Sequence, residues 1–269
     1  MEKKTTRLRY LKLLKTFIPI LFLVITFSCK ERSKVEKEEV QLWQPYDDSV
    51  EVAANLNHDK ERMRYKHIQS KVLDKNDVFL PLYDEVSKMT EERYEELKPL
   101  ILEKNMFALR KNLEEQRFTY EELTLFYLYR IYKYELDNTT TLNTVIALNK
   151  DVVDQARSLD KKRVNGTAPT ARHPIYGMPI LLKDNINTSG MNTTAGAVAL
   201  MENEVDDAFI VKKLKEKGAL ILGKVNLSEW ANFLCDCPNG QSAVGGQTLN
   251  PYGRRVFDTG GSSAGSGTS

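Results

Sequence analysis

The sequence is poor in histidine and cysteine, which restricts the chemistry that it can perform. Three histidines and three cysteines in 269 residues leave few ligands for a metal centre, cannot build a disulfide framework and disfavour histidine-based catalysis. Neither sign of charge dominates, because 39 Lys and Arg stand against 37 Asp and Glu. This balance excludes recruitment to nucleic acid by bulk charge. We therefore predict no metal, no cofactor and no nucleic-acid partner.

Long hydrophobic runs are also lacking, with one exception near the N-terminus. Residues 1–15 carry six cations and one anion, and an apolar run over 16–28 follows. This run is too short to span a bilayer as a mature helix, so the pattern predicts a secretory signal peptide over 1–28. Ser28 and Cys29 end the run, as in the bacterial lipobox, whose cysteine is lipidated and becomes the mature N-terminus. The alternative is an uncleaved membrane anchor with an incidental cysteine.

Lipidation of Cys29 predicts an exported protein of the cell envelope, held on a bacterial membrane by its lipid anchor. Loss of residues 1–28 removes six cations and one anion, so the formal net charge falls from +2 to −3. Residues 29–48 are rich in Lys, Glu, Ser and Gln and have little to bury, which predicts a solvated tether.

Helical patterns follow the tether. Residues 49–118 are predicted to form a helical region, in which Pro99 suggests a break or kink within an apolar pattern. Thr119 and Glu122 have the spacing of a capping box, and apolar residues at helical spacing come after them.

The pattern changes after residue 140 to short apolar runs that alternate with helices. Strands are predicted over 144–148, 179–182 and 219–222, with helices over about 150–161 and over the amphipathic segment from Phe209 to Gly218. This alternation is typical of α/β proteins. We expect a mixed sheet covered by helices, with domain limits at 49–118 for the helical region and 119–269 for the α/β domain.

Two segments of this half contain candidate catalytic residues. Lys183 ends an apolar strand, where desolvation can lower its pKa until the neutral amine serves as a general base; a salt-bridged structural lysine is the alternative. Residues 258–267 are dense in glycine and serine, which lets the backbone approach a substrate closely. A phosphate-binding loop is disfavoured because no lysine follows the glycines, and a flexible linker remains an alternative. We expect residues 241–247 to line the cleft beside this loop.

The order of the motifs resembles the amidase signature family from about Thr119 onward. Leu-Leu-Lys-Asp-Asn at the strand end is followed by Gly223–Ala231, Gly245–Tyr252 and Gly260–Gly267. Four motifs in this order are far more specific than any one of them.

The resemblance implies hydrolysis of a carboxamide by a Ser, cis-Ser, Lys triad without a cofactor. Lys183 matches the lysine and Ser262 matches the serine with the cis peptide bond. Gly260, Gly261 and Ser263 would support the loop. The substrate would be a small-molecule or peptide amide.

In the family, the nucleophilic serine lies downstream of this loop. Ser263, Ser266 and Ser269 are too close to Ser262 to replace it, so that serine is absent from residues 1–269. We therefore expect the amidase signature fold to be incomplete in this chain, truncated at its C-terminal end, and the polypeptide to be inactive as a fragment.

Two alternatives belong to other functional classes. The chain could be the amide-hydrolysing subunit of a glutamine-dependent tRNA amidotransferase, although an export signal argues against a partner in translation. It could also be a noncatalytic binding protein of the envelope on the same fold.

Overall fold

The structure is a computed structural model that describes residues 40–234 and 237–269. The predicted signal peptide over 1–28, the lipidation candidate Cys29 and the first part of the predicted tether lie outside the described residues. The chain from Gln41 to Ser269 forms one compact unit. In the part that the structure describes, no helix is long and apolar enough to cross a membrane.

Helices dominate residues 49–135. They are α1 (Ser49–Asn55), α2 (Lys75–Phe79), α3 (Tyr83–Val86), α4 (Glu91–Ile101), α5 (Met106–Glu114) and α6 (Tyr120–Glu135). Side-chain oxygens of Asp74, Thr90 and Asn105 accept backbone N–H groups in the first turns of α2, α4 and α5, which satisfies donors that a helix start leaves free. The predicted capping box of Thr119 and Glu122 is present at the start of α6.

The break or kink predicted at Pro99 corresponds to a break shortly after it, between Ile101 and Met106. Pro99 lies inside α4, and the helix continues to Ile101. A proline lacks the N–H that would pair with the carbonyl four residues earlier, but here only one further half-turn follows it. Leu97 and Ile101 are fully buried on one face of α4, so core packing holds this last turn in place.

The α/β half contains a three-stranded mixed sheet in the order β1-β3-β2. Its strands are β1 (Val145–Leu148), β2 (Pro179–Lys183) and β3 (Leu220–Val225), and its helices are α7 (Val152–Val164) and α8 (Phe209–Glu216). β3 runs antiparallel to β1 and parallel to β2. The prediction of a mixed sheet with helices is confirmed, and each of these elements lies within or overlaps its predicted segment.

Side chains of β3 alternate between two apolar clusters, as a strand covered on both faces requires. Leu220 and Leu222 join the large core that α6 and α7 also enter, whereas Ile221 packs with Leu182 and with Val211 of α8. Helices therefore cover both faces of the sheet.

The predicted domain limit between residues 118 and 119 is not visible in the packing. Phe79 and Tyr94, from the predicted helical region, share one core with Leu123, Val152 and Leu220. Helices as short as α2 to α5 gain most of their stability from tertiary packing, and here they pack on the same core as the sheet.

The described end of the predicted tether is not a solvated linker. Trp43 is only 8% exposed, its Nε1 donates to Asn138 Oδ1 at 2.6 Å, and its backbone N–H donates to Asn76 Oδ1. Asp48 accepts the backbone N–H groups of Ile68 and Gln69. The polar composition of 29–48 conceals an anchoring tryptophan, and residues 42–48 belong to the folded unit.

Three short elements complete the frame of the candidate site. β4 (Gln241–Ser242) and β5 (Gly246–Gln247) form an antiparallel hairpin, and α9 (Ala264–Thr268) follows the Gly/Ser-rich loop.

Candidate active site

Lys183 is the last residue of β2 and extends towards the Gly/Ser-rich loop. Its Nζ lies 2.7 Å from Ser262 Oγ and 3.2 Å from Ser263 Oγ. The side chain is half-buried, and burial lowers the pKa of Lys183 below its ordinary value, because desolvation penalises the ammonium form. The structure thus brings Lys183 together with Ser262 and Ser263, as the sequence predicts. These serines are 79 and 80 residues away from the lysine in the sequence.

The loop bends through its glycines. Gly260 and Gly261 have φ values of 67° and 57°, in the left-handed region that favours glycine. No peptide bond between described residues is cis, so the cis bond that the resemblance implies at Ser262 is not present in this structure. Two consecutive left-handed glycines turn the chain here with trans bonds only.

Asp258 holds the start of this loop. Its Oδ1 accepts the backbone N–H of Gly260 at 3.0 Å, and its Oδ2 accepts Asn239 Nδ2 at 2.9 Å. Its backbone carbonyl accepts Asn250 Nδ2 at 2.9 Å. Two separate segments, at Asn239 and Asn250, therefore hold the start of the loop ahead of Ser262.

The far side of the loop rests on the segment after β3. Ser228 N–H donates to Ser262 O at 3.1 Å, and Gly265 N–H donates to Asn226 O at 3.0 Å. A Cβ on Gly265 would lie 2.4 Å from Asn226 O, so only glycine permits this close approach of α9 to the strand end.

A buried ion pair lies next to Lys183 in sequence, and sequence reasoning missed it. Lys224 Nζ lies 3.0 Å from Asp184 Oδ1, and both side chains are almost completely buried. Lys224 Nζ also donates to Thr193 Oγ1 at 2.7 Å. Burial lowers the pKa of Lys224, and the Asp184 carboxylate opposes that shift. The sequence does contain a hint of this pair, because Lys224 stands within an apolar strand and a buried charge needs a partner.

The expectation that residues 241–247 line a substrate cleft is wrong for their side chains. Gln241, Ser242 and Gln247 are buried. Gln247 Nε2 donates to Asn239 O at 2.7 Å and to Thr248 O at 2.9 Å. The Nε2 bonds of Gln247 fasten the hairpin to the residues on either side of it, so this side chain faces the protein interior and not a substrate.

Metal-ligating side chains do not cluster near the site. Over residues 40–234 and 237–269, no group of three or more His, Cys, Asp or Glu side chains has an arrangement that could hold a metal ion. The polar groups that meet at the site are the amine of Lys183 and the hydroxyls of Ser262 and Ser263.

An α/β fold that places a lysine amine against two serine hydroxyls has the parts of a hydrolase that uses serine chemistry without histidine. The chain belongs to the amidase family, because the family model named Amidase matches residues 122–269, more than half of the chain. This match confirms the resemblance to amidase signature enzymes.

Curated relatives agree with this family. The "Probable amidase" of Arabidopsis thaliana is 42% identical over 156 residues, which are 56% of this chain and 29% of that protein. A glutamyl-tRNA(Gln) amidotransferase subunit of Methanococcoides burtonii is 36% identical over 148 residues, which are 54% of this chain and 27% of that protein. The chain thus spans less than a third of the length of these relatives.

Solved structures match in the same way. An amidase family protein from Bacillus anthracis has a TM-score of 0.67 at 38% identity, over 74% of this chain and 39% of that chain. Native peptide amidase from Stenotrophomonas maltophilia has a TM-score of 0.58 at 42% identity, over 62% of this chain and 34% of that chain. The fold described above is therefore the amidase signature fold.

Proposed function

We propose that this protein hydrolyses carboxamide C–N bonds through an acyl-enzyme. The observation that carries the proposal is the 2.7 Å separation of Lys183 Nζ and Ser262 Oγ in a chain of the amidase family. Burial lowers the pKa of Lys183, which increases the fraction of neutral amine that can accept a proton.

In the proposed mechanism, the neutral amine of Lys183 takes the hydroxyl proton of Ser262. Ser262 Oγ takes in turn the proton of a second serine hydroxyl, whose oxygen attacks the amide carbon. The tetrahedral intermediate collapses, the C–N bond breaks, and the relay returns the proton to the leaving amine. Water then hydrolyses the serine ester. Ser263, 3.2 Å from Lys183 Nζ, accepts a hydrogen bond that holds the amine in line with Ser262.

The proposed substrates are small-molecule or peptide amides. Similarity to the peptide amidase of Stenotrophomonas maltophilia supports this class, and Ser262 and Ser263 are accessible to solvent in the described structure.

The test is release of ammonia from simple primary amides and from C-terminal peptide amides by the protein that contains this chain. Lys183→Ala should lower kcat/KM by about 10² to 10⁴, the usual contribution of a positioned acid–base group. Lys183→Arg should fail as well, because a guanidinium does not release its proton at accessible pH. Lys98→Ala, which removes an exposed lysine paired with Glu95, is the matched control and should keep wild-type activity.

The pH profile gives a second measurement of the same proposal. Since only the neutral amine of Lys183 is a base, kcat/KM should rise with pH as this group loses its proton, and the limb should lie below the ordinary pKa of lysine. If Lys183→Ala retains more than about a tenth of wild-type kcat/KM, Lys183 is not the base.

A polypeptide of residues 1–269 alone should show no turnover, because the proposed relay needs a serine hydroxyl besides Ser262 and Ser263. Turnover by this polypeptide would mean that Ser262 itself attacks the amide, and Ser262→Ala would then abolish it while Ser266→Ala would not.

We also propose an envelope location through lipidation of Cys29, which the charge switch after the apolar run supports. Cells that produce the protein should incorporate labelled palmitate into it, and Cys29→Ala should lose the label. The wild-type protein should be extracted from membranes by detergent but not by high salt, because acyl burial is apolar. Equal labelling of both proteins would contradict lipidation.

A second candidate is the amide-hydrolysing subunit of a tRNA amidotransferase, and the match to the amidotransferase protein of Methanococcoides burtonii favours it. Such a protein would hydrolyse glutamine and leave peptide amides intact. Hydrolysis of neither substrate would support a noncatalytic binding protein on this fold.

A further inference from the structure

The segment that follows β3 starts beside the strand end that carries Lys183 and is hydrogen-bonded to the serine loop. Val225, the last residue of β3, is the pairing partner of Lys183 at the end of β2. The next residue, Asn226, is fully buried. β2 and β3 therefore end side by side, and residues 226–228 start next to Lys183.

The side chain of Asn226 uses both ends of its carboxamide. Its Nδ2 donates to Gly246 O at 3.1 Å and to Thr248 Oγ1 at 3.0 Å. Its Oδ1 accepts Ser242 Oγ at 2.7 Å and Leu227 N–H at 2.9 Å. These bonds tie the β4–β5 hairpin to the end of β3 in a dry environment, where unpaired polar groups are costly.

The backbone of the same segment holds the loop. Asn226 O accepts Gly265 N–H at 3.0 Å, and Ser228 N–H donates to Ser262 O at 3.1 Å. Asn226 N–H donates to Thr144 O at 2.8 Å, just before β1. Ser262 and α9 are thus hydrogen-bonded to the segment that directly follows β3, and β3 pairs with the strand that ends at Lys183.

We propose that Asn226 is a positioning residue, which sets the separation of Lys183 Nζ and Ser262 Oγ and thereby limits how far the amine is exposed to water. The role assigned to Lys183 rests on the proposed function, but the placement of Asn226 does not. Its carboxamide contacts neither Lys183 nor Ser262. Its partners are Gly246 O, Thr248 Oγ1, Ser242 Oγ, Leu227 N–H and, at 3.4–3.5 Å, Gly240 O and Asn143 O.

A purely structural amide would change stability without changing the environment of Lys183. A positioning amide must do more: when it is removed, the loop moves away from the amine and water replaces the serine hydroxyls. The ammonium form of Lys183 is then better solvated, so its proton should be held to higher pH.

The experiment is competitive labelling of amines with trace acetic anhydride at a series of pH values, with the Lys183 peptide quantified by mass spectrometry. Only the neutral amine reacts, so the midpoint of the curve reports deprotonation of Lys183 without any substrate. Asn226→Ala should raise this midpoint by at least about half a pH unit, as expected when a lysine loses a desolvating environment.

Gly265→Ala is the second variant, because its methyl group would meet Asn226 O at 2.4 Å and displace α9 without removing a hydrogen-bonding side chain. It should raise the midpoint in the same direction. Asn76→Ala is the control: Asn76 also uses both ends of its amide, with Trp43 O and the backbone N–H groups of Leu42 and Trp43, but it does not touch the loop. It should lower the melting temperature and leave the midpoint unchanged.

An unchanged midpoint in folded Asn226→Ala or Gly265→Ala would overturn the proposal. An equal shift in Asn76→Ala would overturn it too, because the effect would then follow stability alone. If both test variants fail to fold while Asn76→Ala folds, Asn226 acts on the whole fold and is not a positioning residue. These outcomes can be interpreted even if the proposed amidase function is wrong, because the labelling uses no substrate.

Discussion

At the scale of single residues, the two neighbouring lysines of the sheet have different environments. Lys183 is half-buried beside hydroxyls, whereas Lys224 is fully buried against the carboxylate of Asp184. Burial lowers the pKa of both, but of the two only Lys224 has an ion-pair partner in the described part of the chain. The Asp184 carboxylate favours the ammonium form of Lys224, whereas Lys183 has only neutral hydroxyls beside it and is the amine better suited to accept a proton.

The buried pair should be costly to break from either side. Lys224→Met and Asp184→Asn should each destabilise the protein by about 3–5 kcal/mol, because each leaves an uncompensated buried charge. The double variant should lose less than the sum of the two. Urea unfolding measures all three, and Lys213→Ala, from the exposed pair with Glu216, should change little. Additive losses would show that the two charges do not depend on each other.

At the scale of elements, helix starts are the features that sequence most directly encodes. The Thr119 hydroxyl accepts Glu122 N–H at 3.0 Å and the Glu122 carboxylate accepts Thr119 N–H at 3.0 Å. α6 carries buried residues along most of its length, so its start fixes where the large core begins.

Removal of this cap should be measurable. Thr119→Ala should lower the free energy of unfolding by about 1 kcal/mol, since it leaves a first-turn N–H without its side-chain acceptor. Thr119→Ser keeps the hydroxyl and should stay near wild type in the same urea titration. A Thr119→Ser variant as unstable as Thr119→Ala would assign the loss to the methyl group and not to the cap.

The elements show why some predictions succeeded and others failed. Caps, apolar periodicity and glycine stops are local, so β1, β2, β3, α7 and α8 could be predicted. The pairing of Lys183 with Ser262 spans 79 residues, and only the order of family motifs indicated it. Asn226 could not be found, because a fully buried asparagine and an exposed one look the same in a single sequence.

At the scale of the whole molecule, the described unit begins earlier than composition suggests. Residues 42–48 bond to Asn76, Asn138, Ile68 and Gln69, which belong to the helical region or to the turn after α6. One core then joins that region to the sheet. We therefore expect the Lys183–Ser262 site to depend on one cooperative unit rather than on a separable domain at 119–269.

The two tryptophans offer a matched test of this dependence. Trp43 is 8% exposed and Trp230 is 42% exposed. In the full chain, Trp43→Ala should lower the free energy of unfolding by about 3–5 kcal/mol, the usual loss for a buried tryptophan, whereas Trp230→Ala should lower it by less than about 1 kcal/mol. Urea unfolding followed by far-ultraviolet circular dichroism measures both losses.

In Trp43→Ala, proteolysis should cut residues 41–48 and the sheet half in the same denaturant range, because both unfold together. If the sheet half stays protected after 41–48 are cut, the unit is divisible and residues 41–48 are an appendage to it.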